Sequence, residues 1–280
     1  MRTQGYCRTL TTTRLHIACS EEITITKVLA ERLHATGVAD ELTDLTKREL
    51  LAGIATVLLQ DNEVGDEAFY GFSDIESRTP VRRDTIHRIF SNTKIITSVA
   101  MLMLYEDGKY QLDDPLVKYL PALDNLKVLK TGATDVNDTE ALTTPPTIRQ
   151  AFTHTAGFSY GTFQESLVDR LFMETGVQDR NGTLEEMIDK LAGIPLARQP
   201  GTRWQYSIAT DILARLVEVM TGETFADFLS TRLFQPLGMT DTGFHNNDDH
   251  VDHDIKKKHN GRCRQRRKRR SRWTADQEKN

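Results

Sequence analysis

Cysteine is scarce in this chain of 280 residues: Cys7, Cys19 and Cys263 are the only three, and all lie in the end segments. None has metal-like or redox-like spacing, which argues against a disulfide framework and a thiolate metal site. Long apolar runs are missing as well. No stretch approaches the roughly eighteen apolar residues that a membrane-spanning helix requires. The amino-terminal segment has no apolar core of the kind a secretory signal carries, and His16-Ile17-Ala18-Cys19 lacks a lipoprotein leader. Acidic residues are absent before Glu21, while Arg2, Arg8 and Arg14 and six Ser/Thr are present. That composition loosely resembles a mitochondrial presequence, but the expectation is a disordered leader over residues 1–20 of a cytoplasmic protein. No internal repeat is visible.

What is present is unevenly charged. The formal net charge is −4. From His245 onward twelve Lys/Arg face six Asp/Glu, a surplus of six, so residues 1–244 carry −10. Within residues 245–280 only Val251, Ile255, Cys263, Trp273 and Ala275 are apolar, too few to offset the entropy of ordering the segment. The expected organisation is a leader over 1–20, a partial domain over 21–244 and a basic, disordered tail over 245–280. The run Arg262 to Arg272 has the charge to contact phosphates, yet nothing else in the chain implies nucleic acid. His250, His253, His259 and Cys263 match no metal-ligand spacing.

Periodicity outlines the elements. Ile25, Val28, Leu29 and Leu33 recur at helical spacing between Glu22 and Thr36, with Gly37 placed to end that turn. Apolar runs over Gly53 to Leu59 and Glu67 to Phe72, separated by Asp61-Asn62-Glu63-Val64-Gly65, predict a β-hairpin. Residues 91–107 read as a helix closed by Gly108, apolar around most of its circumference and therefore expected to be buried on all sides. Residues 124–146 read as loop, and a short helix is expected from Thr147 to Phe152. Further on, Thr210 to Thr221 reads as an amphipathic helix capped by Gly222, and Ala226 to Phe234 as a last helix.

The helix at 91 opens on Ser91-Asn92-Thr93-Lys94. Three residues apart on a helix, Ser91 and Lys94 share a face. A serine hydroxyl becomes a nucleophile when a base removes its proton, and a lysine serves when burial or neighbouring positive charge lowers its pKa. The helix start adds a positive field and a free backbone N–H suited to an oxyanion. Against this, ten Ser and thirteen Lys generate Ser-x-x-Lys by chance about half the time. An ordinary serine N-cap is the plain alternative.

Five phrases in order change the weighting. They are Phe90-Ser91-Asn92-Thr93-Lys94, Leu112-Asp113-Asp114-Pro115, Thr147-Ile148-Arg149 with Thr153-His154-Thr155-Ala156-Gly157, Pro200-Gly201-Thr202-Arg203-Trp204-Gln205-Tyr206-Ser207, and Leu237-Gly238-Met239. Over roughly residues 45–244 this order resembles the serine β-lactamase-related hydrolases: class C β-lactamases, D,D-peptidases and family VIII carboxylesterases. The resemblance implies an α/β (α+β) fold of β-lactamase/transpeptidase type, an antiparallel sheet with a helical subdomain. It implies Ser91 as the acylated nucleophile, Lys94 as proton acceptor and Tyr206 as the tyrosine that shuttles protons to the leaving group. It also places the Ser91 backbone N–H, Trp204, Ser207 and Ile208 in oxyanion and substrate binding, and implies neither metal nor organic cofactor.

Two departures qualify the expectation. Many members carry Tyr-x-Asn where this chain has Tyr206-Ser207-Ile208, and an isoleucine cannot hydrogen-bond a substrate amide. Carboxylic esters are therefore expected ahead of β-lactams or D-Ala peptides. The family's third motif, a Lys/His-Thr/Ser-Gly strand, belongs after the tyrosine, whereas Lys130-Thr131-Gly132 precedes it and reads as a decoy. The closing carboxy-terminal strands are then expected to be missing, with self-association through an exposed sheet edge as one consequence. A small-molecule ester or amide is the expected partner, with no membrane.

Two alternatives compete with a Ser91 esterase. A catalytically impaired remnant would act as a binding protein. Separately, Gly157-Phe158-Ser159-Tyr160-Gly161 matches the Gly-x-Ser-x-Gly elbow of α/β-hydrolases and makes Ser159 a rival nucleophile. That elbow needs a buried strand before it, and residues 147–155 read as a helix running into a turn.

Overall fold

The computed structural model describes residues 36–61, 63–161, 166–179 and 181–244. They fall into two units that divide between Arg88 and Ile89. Apart from Thr36, the helix expected over Glu22–Thr36 lies outside the described residues, as do the leader and the basic tail.

In the first unit Gly37 adopts a left-handed conformation (φ 77°) and precedes helix α1, Val38–Lys47. Periodicity had not marked this helix. Asp40 and Glu41 in its first turn and Lys47 in its last complement its dipole. The expected hairpin follows as β1, Gly53–Gln60, and β2, Glu63–Asp74. Their antiparallel register runs from Gly53 opposite Gly71 to Gln60 opposite Glu63. Leu58 pairs with Asp66 and Leu59 with Val64, so Gly65, expected to be a turn residue, is absorbed as a bulge. A two-residue β3, Thr79–Pro80, completes the three-stranded sheet, and α1 packs on β1 and β2.

The second unit begins with a 3₁₀ turn, Phe90–Asn92, that runs into α2, Thr93–Glu106. Gly108 (φ 70°) follows its end, as expected. The burial expectation for this helix is corrected. Thr97, Ala100, Met101 and Leu104 are buried, while Ile95, Val99 and Leu102 are 67%, 38% and 46% exposed. One face of α2 is core, and among the described residues the opposite apolar face is uncovered.

Residues 124–146 are also more ordered than a loop. Strands β4, Lys127–Leu129, and β5, Thr139–Ala141, pair antiparallel. Lys130-Thr131-Gly132 lies between them, and Lys130 pairs with Asp138 at 2.5 Å. Helix α3, Ile148–Phe152, starts on a capping box in which Thr147 and Gln150 satisfy each other's backbone N–H groups. The same device opens α4, Leu167–Glu174, from Ser166 and Asp169, and α5, Leu184–Ala192, from Thr183 and Glu186.

Helix α6, Ala209–Thr221, stops at Gly222 in the left-handed conformation. Seven of its thirteen residues are buried, because α2, α3, α5 and α7 (Phe225–Leu229) all pack on it. A π-helical turn, Ser230–Phe234, extends α7. Met101, Leu104, Ile148, Phe172, Leu191, Ile212, Leu216 and Phe228 are among the fully buried side chains that join these helices in one core.

The phrases at 112–115 and 147–149 co-occur for a structural reason. The Arg149 N–H donates to the Leu112 carbonyl (2.7 Å) and the Ile148 N–H to that of Asp114 (3.0 Å). The Arg149 guanidinium grips the Asp113 carboxylate through two bonds of 2.7 and 2.9 Å. Together these bonds fix the start of α3, and the end of α3 delivers the chain to His154.

Candidate active site

Ser91 sits in the 3₁₀ turn, exposed, directly after Phe90, which holds an uncommon φ of 43°. Tyr206 sits in the extended segment between the Pro200-Gly201 turn and α6. Residues 197–208, which include it, are tied to residues 154–159 by four backbone bonds. Ala197 donates to Gly157 (2.9 Å), Gly201 to Thr155 (2.8 Å), Gln205 to His154 (2.9 Å) and Ile208 to Ser159 (3.0 Å). The result brings the Ser91 Oγ to 2.9 Å from the Tyr206 hydroxyl.

Lys94, the second residue of α2, directs its Nζ to 5.1 Å from the Tyr206 ring centroid and 5.3 Å from that of Tyr160. Tyr160 meets Tyr206 edge-on at 5.2 Å. The serine hydroxyl thus bonds the phenol, and the ammonium lies over the ring. Tyr206 is also stacked by His154, at 5.1 Å and 27°.

The remaining expected site residues separate. Trp204 is 62% exposed and meets His154 edge-on at 6.4 Å. Ser207 and Ile208 are buried, at 1% and 2% exposure. The Ser207 hydroxyl is engaged by His154 Nδ1 (3.1 Å), and the Ile208 side chain belongs to the core. Both side chains therefore turn inward, whereas Ser91 is exposed. The rival Ser159 lies in the context expected to disfavour it. It is 2% exposed, its hydroxyl donates to the Asp169 carboxylate, and a helix and turn precede it where an elbow needs a strand.

Three titratable groups around Lys94 were not singled out from the sequence. Burial, and secondarily the Lys94 charge, hold the His154 pKa below its ordinary value. Burial raises that of Asp211, against a smaller opposing pull from Lys94 and from its own backbone N–H. Burial likewise raises that of Tyr160, with Asp211 and Tyr206 adding to the effect. A signal for Asp211 did exist: it lies five residues beyond Tyr206, in the first turn of the helix that follows. Among the described residues no three His, Cys, Asp or Glu gather as metal ligands do. The tail histidines and Cys263 lie outside those residues. No helix among the described residues is long and apolar enough to cross a membrane.

Helices packed around a Ser-x-x-Lys turn, with small antiparallel sheets, define a β-lactamase/transpeptidase-like fold. The chain belongs to the Beta-lactamase family, whose model matches residues 38–273. That match continues past residue 244, where the resemblance was expected to stop. The chain is 36% identical over 218 residues to Esterase EstB of Burkholderia gladioli, covering 77% of this chain and 52% of that esterase. It is 34% identical over 172 residues to Lovastatin esterase of Penicillium rubens, covering 60% of this chain and 42% of that protein. Among solved structures, EstCE1, described as a hydrolase with promiscuous acyltransferase activity, aligns with a TM-score of 0.66 at 27% identity. That alignment covers 80% of this chain and 55% of EstCE1. The chain thus spans about half the length of the curated relatives it matches.

Proposed function

We propose that this chain carries the acylation machinery of a serine esterase in which Ser91 is the nucleophile. The observation that carries the reading is the 2.9 Å contact between the Ser91 and Tyr206 hydroxyls, made by residues far apart in sequence. In the proposed cycle Ser91 Oγ attacks the ester carbonyl while its proton passes to the Tyr206–Lys94 pair, which enters the step one proton short of phenol plus ammonium. The carbonyl oxygen becomes an oxyanion, and Tyr206 returns a proton to the departing alkoxide. The Ser91 N–H supports the reading, because amides of a first helical turn lack intrahelical acceptors and suit an oxyanion. Lys94 supplies a positive charge beside the reacting oxygens. Water then attacks the Ser91 ester and releases the acid.

Carboxylic esters are the proposed substrates. Ile208, at the position where Tyr-x-Asn members offer an amide side chain, is buried and offers no donor to a β-lactam or peptide amide. Esterase relatives point the same way. A fluorophosphonate probe tests the proposal. Peptide mapping is expected to find the adduct on Ser91, with labelling lost in Ser91→Ala and kept in Ser159→Ala. Labelling that survives Ser91→Ala, or a folded wild-type chain that neither labels nor hydrolyses short-chain p-nitrophenyl esters, would overturn it.

A further inference from the structure

His154 grips three consecutive residues of the Tyr206 segment in three different ways. Its carbonyl accepts from the Gln205 N–H (2.9 Å). Its ring stacks on Tyr206, with centroids 5.1 Å apart. Its Nδ1 accepts from the Ser207 N–H (3.3 Å) and pairs with the Ser207 hydroxyl (3.1 Å). To do this His154 holds a left-handed backbone, φ 54°, a conformation that costs a non-glycine residue on the order of 1 kcal/mol or more. A backbone N–H only donates, so the Ser207 contact requires Nδ1 to be an acceptor and places the ring proton on Nε2.

We infer that His154 is a positioning residue that aims the Tyr206 hydroxyl at Ser91, and that it does so only as the neutral Nε2–H imidazole. The inference rests on the reading in which Tyr206 serves Ser91. Protonation puts an N–H on Nδ1 directly against the Ser207 N–H, two donors facing each other, and the grip on residues 205–207 fails. The groups around the ring agree with a neutral state. Lys94 of α2 is the cation that acts on it; Tyr206, Ser207 and Trp204 meet it from the adjoining segment, and none of them is acidic. Burial and the Lys94 charge both lower the imidazole's pKa.

Two variants separate the parts of the grip. Asn tolerates the left-handed backbone and sets its Oδ1 near the place of Nδ1, whereas Phe keeps a stacking ring and loses the acceptor. Hydrolysis of p-nitrophenyl esters is expected to show kcat lowered about 10- to 100-fold in His154→Phe with KM little changed. His154→Asn is expected to keep more of kcat and to lose the acid limb contributed by the imidazole. Melting curves accompany both variants. A kcat and acid limb as in wild type for both, while Tyr206→Phe is impaired, overturn the role of His154 and leave the esterase reading standing. Wild-type activity in both Ser91→Ala and Tyr206→Phe overturns that reading, and the inference with it. A readout independent of turnover is nitrogen NMR of the imidazole together with the Tyr206 ring signals. An unprotonated Nδ1 at neutral pH and Tyr206 signals that move with the His154 titration are expected. A protonated Nδ1, or Tyr206 signals indifferent to that titration, overturns the proposal even in a chain that hydrolyses nothing.

Discussion

The Ser91 hydroxyl bonds the Tyr206 hydroxyl at 2.9 Å, while the Lys94 ammonium lies over two aromatic rings, those of Tyr206 and Tyr160. In the proposed cycle this division of contacts has Tyr206 meet the serine proton first. Tyr206→Phe keeps the ring, its stacking on His154 and its edge contact with Tyr160, and removes one oxygen. The expected outcome is a kcat for ester hydrolysis lower by about 10²- to 10⁴-fold, with a melting temperature close to wild type. Steady-state kinetics beside thermal melts check it; a fully active variant would move the proton-transfer role to Lys94.

Asp114 ties acid stability to the second landmark phrase. Its carboxylate accepts from the Gln111 N–H (2.9 Å), Lys118 (2.9 Å) and the Tyr119 hydroxyl (2.7 Å). Those bonds, led by the backbone N–H, lower its pKa from 3.8 to about 2. A depressed carboxylate pKa stabilises the fold above the unfolded value, and this contribution is lost as pH falls from about 4 to about 2. Asp114→Asn is expected to cost on the order of 1–2 kcal/mol at pH 7, after allowance for solvent screening. The gap from wild type should close near pH 2. Urea titrations at pH 7, 4 and 2.5 measure it, and a gap independent of pH would show that shape rather than charge matters.

Gly157 separates two costs that the same substitution usually mixes. Its φ is 88°, and a Cβ there would lie 2.2 Å from the Arg198 carbonyl oxygen, a backbone atom that cannot swing aside. Gly108 has φ 70° and open space around it. Gly108→Ala is expected to cost about 1 kcal/mol, the left-handed penalty alone. Gly157→Ala should cost about 2–4 kcal/mol, because the strand-like contact with residues 197–198 must also shift. Chemical denaturation of both variants checks the difference. Similar costs would mean that the backbone beside Gly157 yields.

Local signals in the sequence carried much of this fold. The 53–72 hairpin, the Ser91 helix, the 147–152 helix and the 210–221 helix appear where periodicity and Gly punctuation put them. Helices α4 and α5 were missed although Ser166-x-x-Asp169 and Thr183-x-x-Glu186 spell capping boxes. The degree of burial was not legible. The sequence pattern made α2 look covered on all sides and α6 amphipathic, whereas α6 is the more buried of the two. Apolar content says that a face wants a partner, and only tertiary packing says whether one is there. For the same reason Ser91, Lys94 and Tyr206 were readable as a set, while the inward turn of Ser207 and Ile208 was not. His154 stood inside one of the five phrases without a role, since the role proposed for it rests on a left-handed backbone and a stack on a residue 52 positions away.

Asp211 gives the sharpest test of the electrostatics around Lys94. It sits in the first turn of α6, where the helix dipole and its own backbone N–H favour the charged carboxylate. Burial outweighs these and the attraction of Lys94, so its pKa stands above 3.8. A carboxyl that binds its proton more tightly in the folded chain than in the unfolded one contributes less stability as pH rises. The loss begins near the unfolded pKa and is complete above the folded one. Asp211→Asn stays neutral throughout, so its stability relative to wild type is expected to climb across that window and to remain higher at pH 7. Melting temperatures between pH 3.5 and 7.5 follow the crossover. A variant that instead loses ground as pH rises would show that the Lys94 attraction exceeds the burial penalty. The carboxylate would then act as an electrostatic anchor for the lysine beside Tyr206.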